Sequence, residues 1–168
     1  MDAQIQTLAK EILETLKRKN LSLAAAESCT GGGIASALVS IAGASAAFKG
    51  SAVCYCDAAK TDILGVDKTI LQRHFAESPQ CAAAMALGAM RIYKSDVAIS
   101  ATGFLDANTP PQKKGLGGRV FFALAKKGAG AEAAQTAEAL LDPAAGRNLN
   151  RAECVRRALE LILNEIQK

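Results

Sequence analysis

The chain has 168 residues, half of them hydrophobic, which is the size of one domain with a continuous core. Aromatics make up only 4% and tryptophan is absent, so the core has to be built from alanine, leucine, isoleucine and valine, which favours helices packed closely on a sheet. The net charge of +4 is spread over 20 basic and 16 acidic residues without a basic patch interleaved with aromatics, so nucleic acid is not implied, while a small anionic ligand stays compatible with it.

Ile5, Leu8, Ala9, Ile12, Leu13 and Leu16 recur at helical period, predicting a core-facing first helix from residue 2 to about 19. Leu21 to Ala26 reads as a short buried strand. Ile34, Leu38 and Ile41 begin a second helix that Gly43 ends, and Phe48 to Cys56 reads as a second strand ending at Tyr55. On that strand Cys54 and Cys56 would share a face. Asp57 is expected to cap a short helix over 58–64, Gly65 to stop it, and Asp67 to cap another through Phe75. Ser78 and Pro79 open a longer helix to about Lys94. Asp96 to Ala101 is a compact buried strand leading into Thr102 and Gly103, and 104–118 is a long proline- and glycine-bearing loop of the kind that carries binding function. Arg119 to Ala125 is the next strand. Residues 132–141 fit either a helix, by their alanines, or a partner strand, by their place. Val155, Ala158, Leu159, Ile162 and Ile166 give a last helix its apolar face, starting near Asn150 after Arg147.

Five cysteines form no CxxC pair, and their odd number leaves at least one thiol free, so a reduced, cytoplasmic chain is expected. Two sulfurs with the single histidine, His74, do not make a zinc site, and neither a metal nor a cofactor is expected. No signal peptide and no run of about 18 apolar residues points to a membrane.

The chemistry-bearing stretch is AESCTGGG, residues 26–33, joining the first strand to the second helix. It places Ser28 at a helix start, where the N–H groups of Thr30, Gly31 and Gly32 are free to meet an anion or a developing oxyanion. The bland reading is a capped helix, although three glycines at a helix start cost stability and want a reason. A Walker A loop would need a lysine where Ile34 stands, and a nucleophile elbow would need glycine at Ala26. In open α/β sheets ligands bind beyond the carboxyl ends of the strands, which brings Ser28, Tyr55, Lys60 and Thr102 to one rim. A serine, an amine, a phenol and a second hydroxyl there can perform acyl transfer with a serine nucleophile and a lysine base. Taken singly, Lys60 also reads as a solvated helix lysine, Tyr55 as an edge residue and Thr102 as a cap.

AESCTGG at 26–32, Tyr55 and Lys60 within YCDAAK at 55–60, and ILGV at 63–66 resemble the CinA C-terminal domain family along essentially the whole chain. The second motif is a worn form of the family's usual YSNEAK. ATG at 101–103 and Arg147 match the family's strand end and the arginine before its last helix. The resemblance implies an α/β/α sandwich with a mixed, mainly parallel sheet. It also implies a homo-oligomer that deamidates nicotinamide mononucleotide to the nicotinic acid mononucleotide and ammonia. Under it Ser28 attacks, Lys60 takes the proton, Tyr55 and Thr102 position the pair, and Thr30, Gly31, Gly32, Gly103 and Arg147 bind the nucleotide. The chain departs from the family at 104–108, where FLDAN replaces a glycine-rich run, at Ala58 in place of a glutamate, and at Gly146 in place of an acidic residue. The loop is expected to fold away from the pocket. A catalytically silent nucleotide-binding or protein-interaction domain is the rival reading, and hydrolysis of another small amide a third.

Overall fold

The computed structural model describes residues 2–128 and 134–168. Eleven elements are described in the order α1 (Ala3–Arg18), β1 (Leu23–Glu27), α2 (Gly33–Val39), β2 (Phe48–Val53), α3 (Asp57–Asp62), α4 (Lys68–His74), α5 (Pro79–Tyr93), β3 (Val97–Gly103), β4 (Arg119–Lys126), β5 (Gln135–Leu140) and α6 (Arg147–Gln167). Short 3₁₀ turns stand at Ala44–Ala46 and Pro111–Lys113.

The sheet runs β2-β1-β3-β4-β5. β1 lies parallel to both β2 and β3, β4 is antiparallel to β3, and β5 is antiparallel to β4, so four strands point one way and β4 opposes them. Side chains alternate between its faces. Leu23, Ala25, Val97, Ile99, Ala101, Val120, Phe122 and Leu124 join Leu13, Leu16, Ile34, Leu159 and Ile162 in the core under α1, α2 and α6. Ala26, Ala52 and Ala98 pack instead with Leu64, Val66 and Met85 of the α3–α5 side, while Phe121, Ala123 and Ala125 meet Ala82 and Ala86 of α5. This is the three-layer sandwich with a mixed sheet. Alanine on both faces of β1, all of it buried, lets the helices come close enough to sandwich a sheet almost without aromatic filler.

Caps are where the sequence foretells them in two cases. Asp67 accepts the Thr69 N–H at 2.7 Å, and the Ser78 hydroxyl accepts the Cys81 N–H at 3.1 Å with Pro79 in the first turn. Asp57 does not cap α3. The helix starts at Asp57 itself, with Cys56 before it making no side-chain cap bond, so its carboxylate sits in the first turn near the positive end of the dipole. The second strand is shorter than expected, ending at Val53, and Cys54 and Cys56 do not share a strand face: the first is buried and the second exposed. All five cysteines are free thiols. Of the ambiguous stretch 132–141, residues 132 and 133 lie outside the described residues; Gln135–Leu140 is strand, because ladder bonds to β4 outweigh the helix preference of its alanines. The last helix begins at Arg147 rather than near Asn150.

Two glycines are explained by close approach. A Cβ on Gly33 would stand 2.6 Å from Cγ2 of Val155, where α2 meets α6, and one on Gly88 would stand 2.2 Å from the carbonyl oxygen of Leu64, where α5 meets the end of α3. These contacts set both helices that flank the rim.

Candidate functional site

Strand alternation separates two neighbours at the end of β1. Glu27 belongs to the face of Leu23 and Ala25, and its buried carboxylate accepts the Ile34 N–H at 2.9 Å, the Ala35 N–H at 3.0 Å and the Ser51 hydroxyl at 2.9 Å. An internal carboxylate therefore already caps the first helical N–H groups of α2. Ser28 follows and turns to the other side. Its N–H donates to the Ala101 carbonyl at 2.9 Å, fixing the turn to β3, and its hydroxyl meets the amine of Lys60.

Lys60 sits on α3 with 2% of its surface exposed. Nζ lies 3.2 Å from Oγ of Ser28 and donates to the Cys54 carbonyl at 3.0 Å, and among the described residues no carboxylate forms an ion pair with it. The lysine is thus not a solvated helix residue. Neighbouring thiols do not compete with the serine as nucleophiles: burial pushes Cys81 up to about 12 and raises Cys54 as well, the latter against the opposing pull of Lys60.

The turn after Ser28 accounts for its glycines. Gly31 and Gly32 take φ of +59° and +91°, which side-chain-bearing residues rarely adopt, and Gly33 is held by the Val155 contact. The Gly31 N–H is used internally, donating to the Ser28 carbonyl at 3.1 Å. Among the described residues, the N–H groups of Thr30 and Gly32 meet no acceptor, and the buried Thr30 hydroxyl has no partner. A cleft of about 500 Å³ is lined by Thr30, Gly31, Gly32 and Gly33 on one side and by Asn148 and Arg151 of α6 on the other. Ser28 and Lys60 do not line it. The glycine turn therefore has one edge on that cleft and the serine–lysine contact behind it.

The remaining expected residues lie at differing distances from this pair. Thr102 is 1% exposed and within β3, on the face of Ser100, and its hydroxyl donates to the Ala76 carbonyl at 2.9 Å. Among the described contacts it makes no hydrogen bond to Ser28 or Lys60. Gly103, at φ +153°, pairs with Val120, and a Cβ there would stand 2.4 Å from the Arg119 carbonyl, so strand pairing alone requires the glycine. Tyr55 is exposed, and its hydroxyl accepts from Nη2 of Arg147 at 2.8 Å. Nη1 of the same arginine donates to Asp106 at 2.9 Å. Tyr55 and Arg147 are brought together, then, but with one arm of the guanidinium already holding a carboxylate.

That carboxylate comes from the start of the 104–118 loop, which is anchored to the core through Leu105. Leu105 is 1% exposed in the core, its carbonyl accepts Nδ2 of Asn150 at 2.6 Å, and the same amide donates to the Asp142 carbonyl at 2.7 Å. Further along, Lys113 pairs with Glu77 at 2.5 Å and stands 5.3 and 5.6 Å from the ring centres of Phe75 and Phe104. An apolar residue at 105 is what draws the loop in. Arg147 holds the Asp106 carboxyl below the usual carboxylate range, with the Asn108 N–H adding to the effect, and the pairing raises Arg147 in turn.

Glu27, Asn150 and Asp106 escaped the sequence reading. Asn150 had a signal, since it lies four residues before Cys154 and eight before Ala158 on the buried stripe of α6, where a polar residue needs partners. Among the described residues no cluster of histidine, cysteine and carboxylates could hold a metal, and no helix is long and apolar enough to cross a membrane.

A mixed-sheet α/β/α sandwich with a buried serine–lysine contact at the strand ends defines the class of this protein. The comparisons place it within that class: the CinA C-terminal domain family matches residues 5–166, and the chain belongs to that family. The crystal structure of the competence/damage inducible protein CihA from Agrobacterium tumefaciens is similar over 100% of this chain and 98% of that one, with a TM-score of 0.91 and 33% identity. A CinA-like protein of Pseudothermotoga lettingae is 43% identical over 71% of this chain but only 29% of its own length, so the chain spans a minor part of such relatives. The nicotinamide-nucleotide amidohydrolase PncC of Escherichia coli strain K12 is 34% identical over 74% of each chain.

Proposed function

We propose that this protein is an amidohydrolase that releases ammonia from nicotinamide mononucleotide, with Ser28 as nucleophile and Lys60 as base. The observation that carries this reading is the 3.2 Å contact between the Lys60 amine and the Ser28 hydroxyl in a buried setting, in a chain related to a nicotinamide-nucleotide amidohydrolase. As the Ser28 oxygen bonds to the carboxamide carbon, its proton passes to the Lys60 amine. Collapse of the tetrahedral species breaks the C–N bond, and the lysine returns the proton to the departing nitrogen as ammonia. Water then attacks the acyl-serine ester, giving the carboxylate and regenerating Ser28. The unpartnered N–H groups of Thr30 and Gly32 suit the oxyanion. Thr102 acts on the pair through the backbone it braces, and Gly31 and Gly103 contribute turn and strand shape to the pocket. Arg147, steadied by Tyr55, takes the substrate phosphate once Asp106 yields it.

Five free cysteines support a reducing, cytoplasmic setting, and the exposed Leu140 and Leu149 support assembly into a homo-oligomer, which sedimentation velocity would test. The functional test is ammonia release on incubation with nicotinamide mononucleotide, measured against the Ser28→Ala protein. Turnover that survives Ser28→Ala would remove the nucleophile assignment. The second reading, a silent nucleotide-binding domain, is favoured by the Asp106–Arg147 pair, and calorimetric binding without ammonia release would select it.

A further inference from the structure

The guanidinium of Arg147 has both terminal nitrogens engaged, Nη1 by Oδ2 of Asp106 at 2.9 Å and Nη2 by the Tyr55 hydroxyl at 2.8 Å. A guanidinium grips phosphate through two parallel N–H bonds, and here one arm of that fork already holds a carboxylate oxygen. Asp106 is not a wandering surface acid. Its other oxygen, Oδ1, accepts the Asn108 N–H at 2.9 Å, and the preceding residue, Leu105, is buried with its carbonyl held by Asn150. The Asp106 side chain is 17% exposed against 52% for Arg147, so the acid is the fixed partner and the arginine the accessible one. With its carboxyl held low by Arg147, Asp106 stays charged wherever a phosphate monoester is dianionic. The pair presents no net charge, and a dianion reaching for Arg147 meets a fixed negative group beside it.

We propose that Asp106 determines specificity: its carboxylate competes with a substrate phosphate for Arg147 and shifts the chain's preference from the phosphorylated carboxamide towards its phosphate-free counterpart. The inference rests on the amide-hydrolysis reading above and names the substrate class for that same site. Like charges set side by side reject a ligand more effectively than a missing contact does. The direction of the preference therefore follows from the residue at 106 even though Arg147 is retained.

The test uses the full chain with Asp106→Asn, Asp106→Ala and the double variant Asp106→Asn with Arg147→Ala. Asparagine keeps an oxygen for the Asn108 N–H, so the loop anchor is preserved while the charge is lost. The ratio of kcat/KM for nicotinamide mononucleotide to that for nicotinamide riboside is expected to rise at least tenfold in Asp106→Asn. Inorganic phosphate, titrated by calorimetry, is expected to bind at least tenfold more tightly to Asp106→Asn and Asp106→Ala than to the parent, with the gain lost in the double variant. An unchanged or lowered phosphate affinity in both single variants overturns the proposal. Should no protein release ammonia from either amide, the hydrolase reading fails, and the phosphate titration still decides the role of Asp106.

Discussion

Glu27, the last residue of β1, accepts the backbone N–H of Ile34 at 2.9 Å, so strand and helix are joined by a buried carboxylate directly beneath the Ser28 turn. A second oxygen takes the Ala35 N–H and the Ser51 hydroxyl. Glu27→Gln replaces one acceptor by an amide donor that faces donors, leaving buried N–H groups unpaired at a cost of about 1–3 kcal/mol. Urea denaturation should show the loss in the unfolding midpoint. Equal stability of the two proteins would mean that the cap carries no net free energy.

Ser28→Ala removes the proposed attacking oxygen, and Lys60→Met replaces the amine by an apolar side chain of similar length. Each is expected to lower kcat for ammonia release by roughly a thousandfold or more, and the double variant to lose little beyond either alone, because the two groups act as one unit. A kinetic series on the four proteins checks it. Multiplicative losses in the double variant would show that Lys60 does not work through Ser28.

Hydrophobic period made the helices legible, since α1, α5 and α6 each bury a stripe that recurs at three and four residues. The rim was legible for the same reason that strand ends gather side chains: Ser28 and Lys60, 32 residues apart, meet as expected. What pattern could not reach was partnership across the sheet. Thr102 looked available in sequence, yet its hydroxyl is spent on Ala76, and the Arg147 expected to await a phosphate is held by Asp106 from a loop whose course depends on burying Leu105. Helix or strand for 135–140 was likewise decided by a neighbour, β4, and not by its own alanines.

Gly88 is needed because α5 runs against the end of α3. A Cβ would lie 2.2 Å from the Leu64 carbonyl oxygen, which also accepts Nη2 of Arg91 at 2.7 Å. Gly88→Ala has to push that backbone away, at about 1–3 kcal/mol of overpacking strain. The same displacement reaches Lys60, the proposed base, through the 60–66 turn, where the Val66 N–H donates to the Lys60 carbonyl at 3.1 Å. Both the denaturation midpoint and kcat are therefore expected to fall, and a variant with parent-like values of each would disprove the close-packing argument.

A pH-dependent contribution comes from α6, where Glu153 accepts Nε and Nη2 of Arg156 at 2.8 and 2.6 Å and Nε of Arg157 at 2.7 Å. These bonds, with Arg156 first, lower the carboxyl from 4.5 to about 2. A carboxyl depressed in the folded state stabilises the fold fully above its unfolded value, and that stabilisation is lost as pH falls from about 4.5 through about 2. Arg156 also pairs with Glu160, and the cluster is partly open to solvent, so the gain is screened to about 1 kcal/mol at neutral pH. Glu153→Gln should therefore lower Tm at pH 7 by a few degrees, and the difference from the parent should shrink steadily below pH 4 and close near pH 2. Thermal melts of both proteins across that range decide the point. A Tm difference that stays constant from pH 7 to pH 3 would assign the loss to packing of the side chain instead of to its charge.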